Sequence, residues 1–466
     1  MNSEAINTET FRDHIATINE SGNRAWIYAK KTKGRYHRFK TWFGIFLLTL
    51  LFVFPFIKLN GHPFMLLNFI ERKFIIFGVA FWPQDFILFV LAMMTFLVFI
   101  ILFTVIFGRI WCGFACPQTI FMEVIFRRIE FWIEGDSKEQ KRLDNAPWDT
   151  DKIIKKVSKH LVFFIISLII TNTFLAYIIG IDQLKSVVTE SPSKHLAGFL
   201  GMLAFAGVFD LVYARFREQA CIVVCPYGRL QGVLLDKHTM IVAYDYVRGE
   251  PRGKIRKNLE RTTGDCIDCN LCVESCSTGI DIRNGSQLEC LNCFSCVDAC
   301  DAVMDKIGQK RGLIRFASEA SIANKEKFKF TPRIIGYSIV LFVLLTTVSI
   351  LLASRSDVET TLLRTRGQMY QTLPDNKTSN LYTMQIINKT FNNIPIELKL
   401  KEPQGEIKFV GKEFNILGKE EMTEGEFFVI LPNSEITKIK TPIVIDVMSG
   451  GKVINQVKSS FLGSNM

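Results

Sequence analysis

The chain has 466 residues, 48% of them apolar and 40 of them Phe, with a net charge of +11 and a mean hydropathy of +0.21. So much apolar side chain excludes a disordered chain, and 12 Cys confined to positions 112–300 are too few for a secreted disulfide scaffold. The positive charge would suit nucleic acid or the Lys/Arg-rich inner loops of a membrane protein, and the order of elements selects the membrane.

The first 41 residues are polar and hold eight Lys/Arg. Five stretches follow, at about 42–58, 86–107, 160–180, 196–216 and 333–353. Each is near the ~20 apolar residues that cross a bilayer core. The second, FILFVLAMMTFLVFIILFTVIF, carries no charge, and the fourth is the weakest, with three Gly and Asp210. Segment 108–159 holds ten Lys/Arg, whereas 59–85 and 181–195 hold two each. The positive-inside rule therefore predicts a cytoplasmic N-terminus and, after five spans, a C-terminal domain on the far side. No small-residue cleavage site follows the first span, so a cleaved signal peptide is not expected. Segment 59–85, broken by Gly61, Pro63 and Pro83, reads as an outer loop lying on the membrane surface.

The cysteines fall into two kinds of motif. Cys266, Cys269, Cys272 and Cys276 repeat the spacing of Cys290, Cys293, Cys296 and Cys300, which is that of a bacterial two-cluster ferredoxin. In that arrangement one run supplies three ligands and the other run the fourth. Cys266, Cys269, Cys272 and Cys300 are thus assigned to one [4Fe–4S] cluster, and Cys290, Cys293, Cys296 and Cys276 to the second. Zinc sites use two CxxC pairs separated by a longer stretch, which fits this spacing poorly. Where the ferredoxin motif carries Pro after its fourth Cys, this chain has Ser277 and Asp301.

The second kind is CxxxCP. Cys112 and Cys116 follow the second span, and Cys221 and Cys225 follow the fourth, each pair ending in Pro. Residues i and i+4 share a helix face, so each pair is expected to present two sulfurs to one ligand. Soft thiolates select Cu(I) or iron–sulfur, and Arg109, Arg217 and Arg229 are expected to favour thiolate. Inert buried cysteines are the bland alternative, which two copies at matching positions disfavour. His62, Met65, Met93, Met94, His160 and His195 read as packing or interface residues. Asp210, a carboxylate near the inner end of the fourth span, is a candidate by default, with simple hydration at the interface as the alternative.

Residues 355–466 contain no Cys, and 14 Lys/Arg offset 13 Asp/Glu. Short β-rich runs at about 380–388, 395–401, 406–410, 426–431, 441–448 and 452–458 are separated by turn residues, as in a β-sandwich. The expected architecture is a polytopic α-helical membrane protein with about five spans, an inserted two-[4Fe–4S] ferredoxin-type module and a C-terminal Ig-like β-sandwich. Its parts are an N-terminal segment 1–41, a four-helix membrane domain 42–216, a segment 217–332 with the dicluster module at about 260–316, a fifth span 333–353 and a sandwich 355–466.

The runs GRIWCGFACPQT, REQACIVVCPYGRLQ, YDYVRGEPRG and VMDKIGQKRGLIR, with the paired cluster motifs, together resemble the cytochrome c oxidase accessory protein family (CcoG, also called FixG or RdxA). The resemblance covers essentially the whole chain. It implies a bacterial inner-membrane oxidoreductase that reduces Cu(II) to Cu(I) for assembly of a cbb(3)-type cytochrome c oxidase. On that reading Cys112, Cys116, Cys221 and Cys225 handle the copper. A related family of membrane ferredoxins, which serves nitrate reductase as a quinol-linked conduit, shares the cysteine motifs but is not expected to carry the sandwich. A copper-free quinol conduit and a non-enzymatic assembly scaffold are the alternatives. Expected partners are membrane lipid, oxidase assembly factors or subunits, an unidentified electron donor and, in a homodimer, a second copy. Nucleic acid is not expected.

Overall fold

The structure, a computed structural model, describes residues 16–18, 21–59, 61–69, 73–82, 85–254, 263–365, 370–374, 376–411, 415–419, 421–436 and 438–463. Most of the N-terminal segment up to residue 15, Pro83, and the start of the dicluster module at 260–262 lie outside the described residues.

Among the described residues, five helices are long and apolar enough to cross a membrane: Arg35–Phe56, Phe86–Phe107, Thr150–Ile179, Leu196–Phe216 and Pro332–Ala353. The first and third begin seven and ten residues before the apolar runs at 42 and 160. Their early turns are polar but contain no breaker, so the helix continues back to Gly34 and to Asp149, whose side chain accepts from the Thr150 N–H. Spans two and five bury almost none of their apolar side chains within the chain, which leaves that surface for lipid.

The chain divides into two compact units, Met1–Phe54 with Leu91–Thr346, and Pro55–Val90 with Thr347–Met466. In the first unit, the helical run after the first CxxxCP packs Phe121, Met122 and Phe126 against Phe163 and Ile170 of span three and Tyr213 of span four. A second core gathers Phe114, Phe294, Cys266, Cys272 and Cys300 around the antiparallel pair Ile241–Tyr244 and Ile314–Ala317. The two cores are joined at the start of span one. A helix leaves its first N–H groups without partners, and here the carboxylate of Asp298, on helix Ser295–Lys306, accepts from the N–H groups of Tyr36 and His37 at 3.2 and 2.7 Å. A Cβ on Gly34 would lie 2.2 Å from that carboxylate, so the chain must be bare there.

In the second unit, segment 59–85 is not an irregular loop. Met65–Asn68, Lys73–Ile76 and Val79–Phe81 form a three-stranded antiparallel sheet. Its buried face (Leu66, Ile75, Ala80) packs against Phe391 of the C-terminal domain, and His62 stacks on the same ring at 4.2 Å. The segment therefore belongs with the C-terminal domain rather than with the four helices, because its alternating apolar residues find a partner there. The C-terminal domain pairs Glu406–Val410, Met422–Pro432, Lys377–Asn388 and Val358–Arg364 in one sheet, and Glu397–Glu402, Lys440–Ser449 and Lys452–Leu462 in another. Tyr382, Met384 and Ile386 alternate inward with Phe427, Val429 and Leu431 to meet Ile443, Ile445 and Val447. The Tyr382 hydroxyl donates to the Ser460 carbonyl at 2.9 Å, linking the two sheets.

Lys389 and Arg355 both donate to the Asp85 carboxylate, at 2.6 and 2.8 Å, and Lys389 also reaches Glu359 at 2.6 Å. Burial pushes the Asp85 carboxyl up, but hydrogen bonds from Lys389, the Trp82 N–H and Arg355 outweigh it and hold the carboxyl below its usual range.

Two outcomes are expected. Asp298→Ala removes the cap of span one and should cost about 1–2 kcal/mol, read as a lower denaturant midpoint for the first unit. Lys389→Met takes a buried cation from the largely buried Asp85 and the partly exposed Glu359, leaves Arg355 on Asp85, and should cost about 1–3 kcal/mol, read by limited proteolysis of the second unit. Because the folded-state Asp85 pKa is depressed, its contribution is complete at neutral pH and is lost as pH falls through that value, below about pH 4.

Candidate redox and metal centre

The two ferredoxin motifs build matching loops. In each, the second residue after the first Cys and the residue after the second Cys take left-handed backbone angles: Asp268 (φ 54°) and Asn270 (φ 60°), then Asn292 (φ 50°) and Phe294 (φ 62°). Asp and Asn tolerate this region, whereas Phe is an outlier. Phe294 is held there by packing on Tyr36 at 4.6 Å and on Phe114 and Phe316 at 5.5 Å. Alternating backbone handedness turns successive N–H groups to one side and makes a concavity suited to an anion.

Each loop frames a cavity of about 360 Å³ of atom-free space. Cys266, Cys269, Cys272 and Cys300 line the first, together with Tyr244, Arg283 and Met304. Cys276, Cys290, Cys293 and Cys296 line the second, with Ser277, Thr278 and Phe294, and the Cys272 side also reaches it. Burial pushes the Cys272 thiol to about 11 and those of Cys290 and Cys300 to about 12. Such thiols are neutral at physiological pH and become ligands only when a metal displaces their protons. Thiol-only donor sets in apolar cavities with inward-turned backbone fit iron–sulfur clusters. The first four residues would hold one and the second four the other.

The non-Pro residues after the fourth Cys have structural uses. The Asp301 carboxylate accepts from the Gly312 N–H at 3.0 Å and lies 3.9 Å from Arg35, and Ser277 is buried in the wall of the second cavity.

The CxxxCP pairs do not lie on one helix face. Helix Ile110–Phe114 stops before Cys116, which is extended (ψ 126°) and caps the next helix with Pro117 at its first position. Cys225 does the same (ψ 110°) ahead of Pro226. A residue before Pro is pushed out of the helical region, and Pro suits a first helical position. Both turns close with a wide bond to the residue five back, Cys116 N–H to Trp111 O and Cys225 N–H to Ala220 O, each 2.9 Å. The structural repeat is therefore a broken helix at each second Cys.

The two pairs are nevertheless electrostatic neighbours. Burial pushes the Cys221 thiol up to about 12, Cys116, Cys112 and Cys225 push it further, and Arg109 opposes. Burial likewise takes Cys112 to about 11 against Arg109. The expectation of thiolates favoured by three arginines is thus corrected: burial wins. Arg217 is committed to Glu130 at 2.8 Å and lies over Trp26, and Arg229 is exposed. Arg217 belongs to a chain of charges that runs through the buried Glu130, Lys159 and Glu134 to the partly exposed Lys156 and Asp144. Among the described residues, no three His, Cys, Asp or Glu side chains are drawn tightly enough together to enclose a single ion.

Around Cys112 the structure places groups that sequence reasoning missed. The Cys112 thiol donates to Gln231 Oε1 at 3.1 Å, and Gln231 Nε2 donates to Thr104 at 3.3 Å. Gly113 lies directly on the second cluster loop. A Cβ there would sit 2.6 Å from the Asn292 carbonyl oxygen and 2.7 Å from that of Leu291. The glycine of CGFAC was the available signal. Met93 and Met94 are exposed on span two, and neither Asp210 nor His160 lines a cysteine cavity.

Cys300→Ser should remove the cluster of the first cavity and leave the second, halving iron content while one cluster signal persists in electron paramagnetic resonance (EPR).

Family models match residues 216–319 as a 4Fe-4S dicluster domain, 89–136 as a 4Fe-4S binding domain, and 348–464 as the Ig-like fold at the C-terminus of FixG. The chain is 33% identical over 379 residues to protein RdxB of Cereibacter sphaeroides, covering 78% of this chain and 79% of RdxB. It is 34% identical over 386 residues to RdxA of the same organism, covering 78% and 80%. It is 35% identical over 311 residues to the nitrogen fixation protein FixG of Rhizobium meliloti, covering 64% of this chain and 58% of FixG. Five spans, two thiol-lined cavities, an Ig-like domain and these likenesses agree: the chain belongs to the FixG/RdxA family of membrane iron–sulfur electron-transfer proteins.

Proposed function

We propose that this protein is an oxidoreductase that reduces Cu(II) to Cu(I) at Cys112, Cys116, Cys221 and Cys225, and supplies Cu(I) for assembly of a cbb(3)-type cytochrome c oxidase. The observation that carries the reading is the gathering of both CxxxCP pairs at the ends of spans two and four, with Gly113 against the Leu291–Asn292 backbone. Clusters held in the two cavities supply one-electron carriers. Copper is the substrate: Cu(II) gains one electron and becomes Cu(I). Thiolate sulfur binds Cu(I) better than Cu(II), so this donor set makes the reduction more favourable. The thiols of Cys112 and Cys221 must lose their protons to bind it. Gln231 orients the Cys112 sulfur.

The Lys/Arg distribution supports an inner-membrane protein with its N-terminus and cysteines in the cytoplasm and its sandwich in the periplasm. The sandwich is then the surface for oxidase subunits or assembly factors, or for a second copy of the chain.

A groove favours a second reading. Phe39, Phe43, Phe103, Trp111, Phe114 and Phe294 line an apolar cleft beside spans one and two, and Phe294 also lines the second cysteine cavity. A lipid-soluble hydroquinone would fit such a cleft as the electron donor, with or without copper as acceptor.

The double variant Cys112→Ser, Cys221→Ser should lose Cu(II) reduction, followed with a Cu(I)-specific chelator, while keeping its iron. Copper reduction at the parent rate in that variant would sink the copper reading. Oxidation of a hydroquinone by a protein that leaves Cu(II) untouched would put the second reading first.

A further inference from the structure

Arg109 is 3% exposed, and among the described residues its guanidinium has no carboxylate partner. Burying a lone cation costs several kcal/mol unless negative charge stands close by. Its fork reaches three parts of the first unit. Nε donates to Gln231 Oε1 at 3.2 Å, the oxygen that also accepts from the Cys112 thiol. Nη1 donates to the carbonyl of Leu288, two residues before Cys290. Nη2 lies where a Cβ on Gly228, three residues after Cys225, would come within 2.8 Å of it. One buried cation therefore touches both CxxxCP repeats and the loop of the second cysteine cavity. Its charge acts on Cys112, Cys221 and Cys290.

We propose that Arg109 is a positioning residue that serves as the shared counter-cation of two neighbouring sites, the CxxxCP thiols and the cluster site of Cys276, Cys290, Cys293 and Cys296. Negative charge held at either site would supply the buried guanidinium with the partner it lacks among the described residues. Two or three thiolates on Cu(I) leave a net charge of about −1 or −2, by the charges of Cu(I) and thiolate. A cluster held by four thiolates is likewise negative, and more so when reduced. Gln231 and the Leu288 carbonyl hold the guanidinium between the two. The remaining cluster site, at Cys266, Cys269, Cys272 and Cys300, has Arg283 as its nearby cation and is outside the reach of Arg109's hydrogen bonds.

The test uses Arg109→Gln and Arg109→Lys in the full chain, reconstituted anaerobically in detergent. Iron and sulfide content reports cluster loading. An EPR-monitored redox titration reads each cluster's midpoint potential, with the signals assigned by Cys300→Ser. Competition with a colorimetric chelator reads Cu(I) affinity. In Arg109→Gln, the cluster of the second cavity should become harder to reduce by at least about tenfold in equilibrium, about 59 mV for one electron, while the other holds its potential. Cu(I) affinity should fall by at least about tenfold, and Arg109→Lys should recover both. Unchanged values, or an equal shift of both clusters, would overturn the assignment.

If Arg109→Gln fails to retain iron, Gln231→Glu gives the guanidinium an internal partner without removing it. That variant must show the same two losses, and parent-like values in it would overturn the proposal. The copper measurement rests on the proposed function, whereas the potential measurement does not. A parent chain that binds no Cu(I) defeats the copper reading alone, and the cluster potentials still decide the role of Arg109.

Discussion

The first unit is organised by a backbone-to-backbone contact. Gly113, inside the first CxxxCP turn, lies on the carbonyls of Leu291 and Asn292, inside the second cluster loop. A methyl group at that position would collide with main chain, which cannot move aside as a side chain can. The close approach lets Phe114 pack on Phe294, the residue forced into a left-handed conformation by the motif it belongs to. It also brings Arg109 within reach of Leu288. The membrane helix ends and the ferredoxin loops therefore share one hydrophobic core.

The same core sets the chemistry of the sulfurs. Burial disfavours thiolate, and in both kinds of motif it outweighs nearby cations. A site of neutral thiols is inert toward casual oxidation and acquires charge only with a metal. That makes the placement of fixed positive charge important. Arg283 stands at the first cavity with Asp281 and Asp268 as partners at 2.6 Å, whereas Arg109, between the second cavity and the CxxxCP thiols, has no carboxylate partner among the described residues.

Broken helices recur where this chain positions sulfur. The wide turns ending at Cys116 and Cys225, and the left-handed Arg217 (φ 50°) between them in the chain, break the helical path that continues beyond spans two and four. Helix interruptions of this kind are tolerated where protein groups recover the freed backbone. Here the N–H groups bond five residues back, and Gln118 donates to the Arg217 carbonyl at 3.4 Å. Wide helical turns of this type concentrate at functional positions.

Hydropathy alone located the five spans, because a bilayer demands about 20 apolar residues in a row whatever the fold. Regular cysteine spacing identified the two ferredoxin loops, since three ligands close together in sequence must wrap one cluster. Alternating β-branched and aromatic residues disclosed six strands of the sandwich, though not Val358–Arg364, whose alternation is weak. Tertiary structure decided what depended on distant partners. Segment 59–85 found its apolar partner at Phe391, more than 300 residues away. The CxxxCP pairs lost their shared helix face because each Pro breaks the helix at the preceding Cys. Of the three candidate arginines, Arg109 acts on the Cys112 and Cys221 thiols, whereas Glu130, remote in sequence, takes Arg217. Periodicity and spacing are local and can be read along the chain. Which charge neutralises which, and which backbones touch, depends on packing between segments that the sequence keeps far apart.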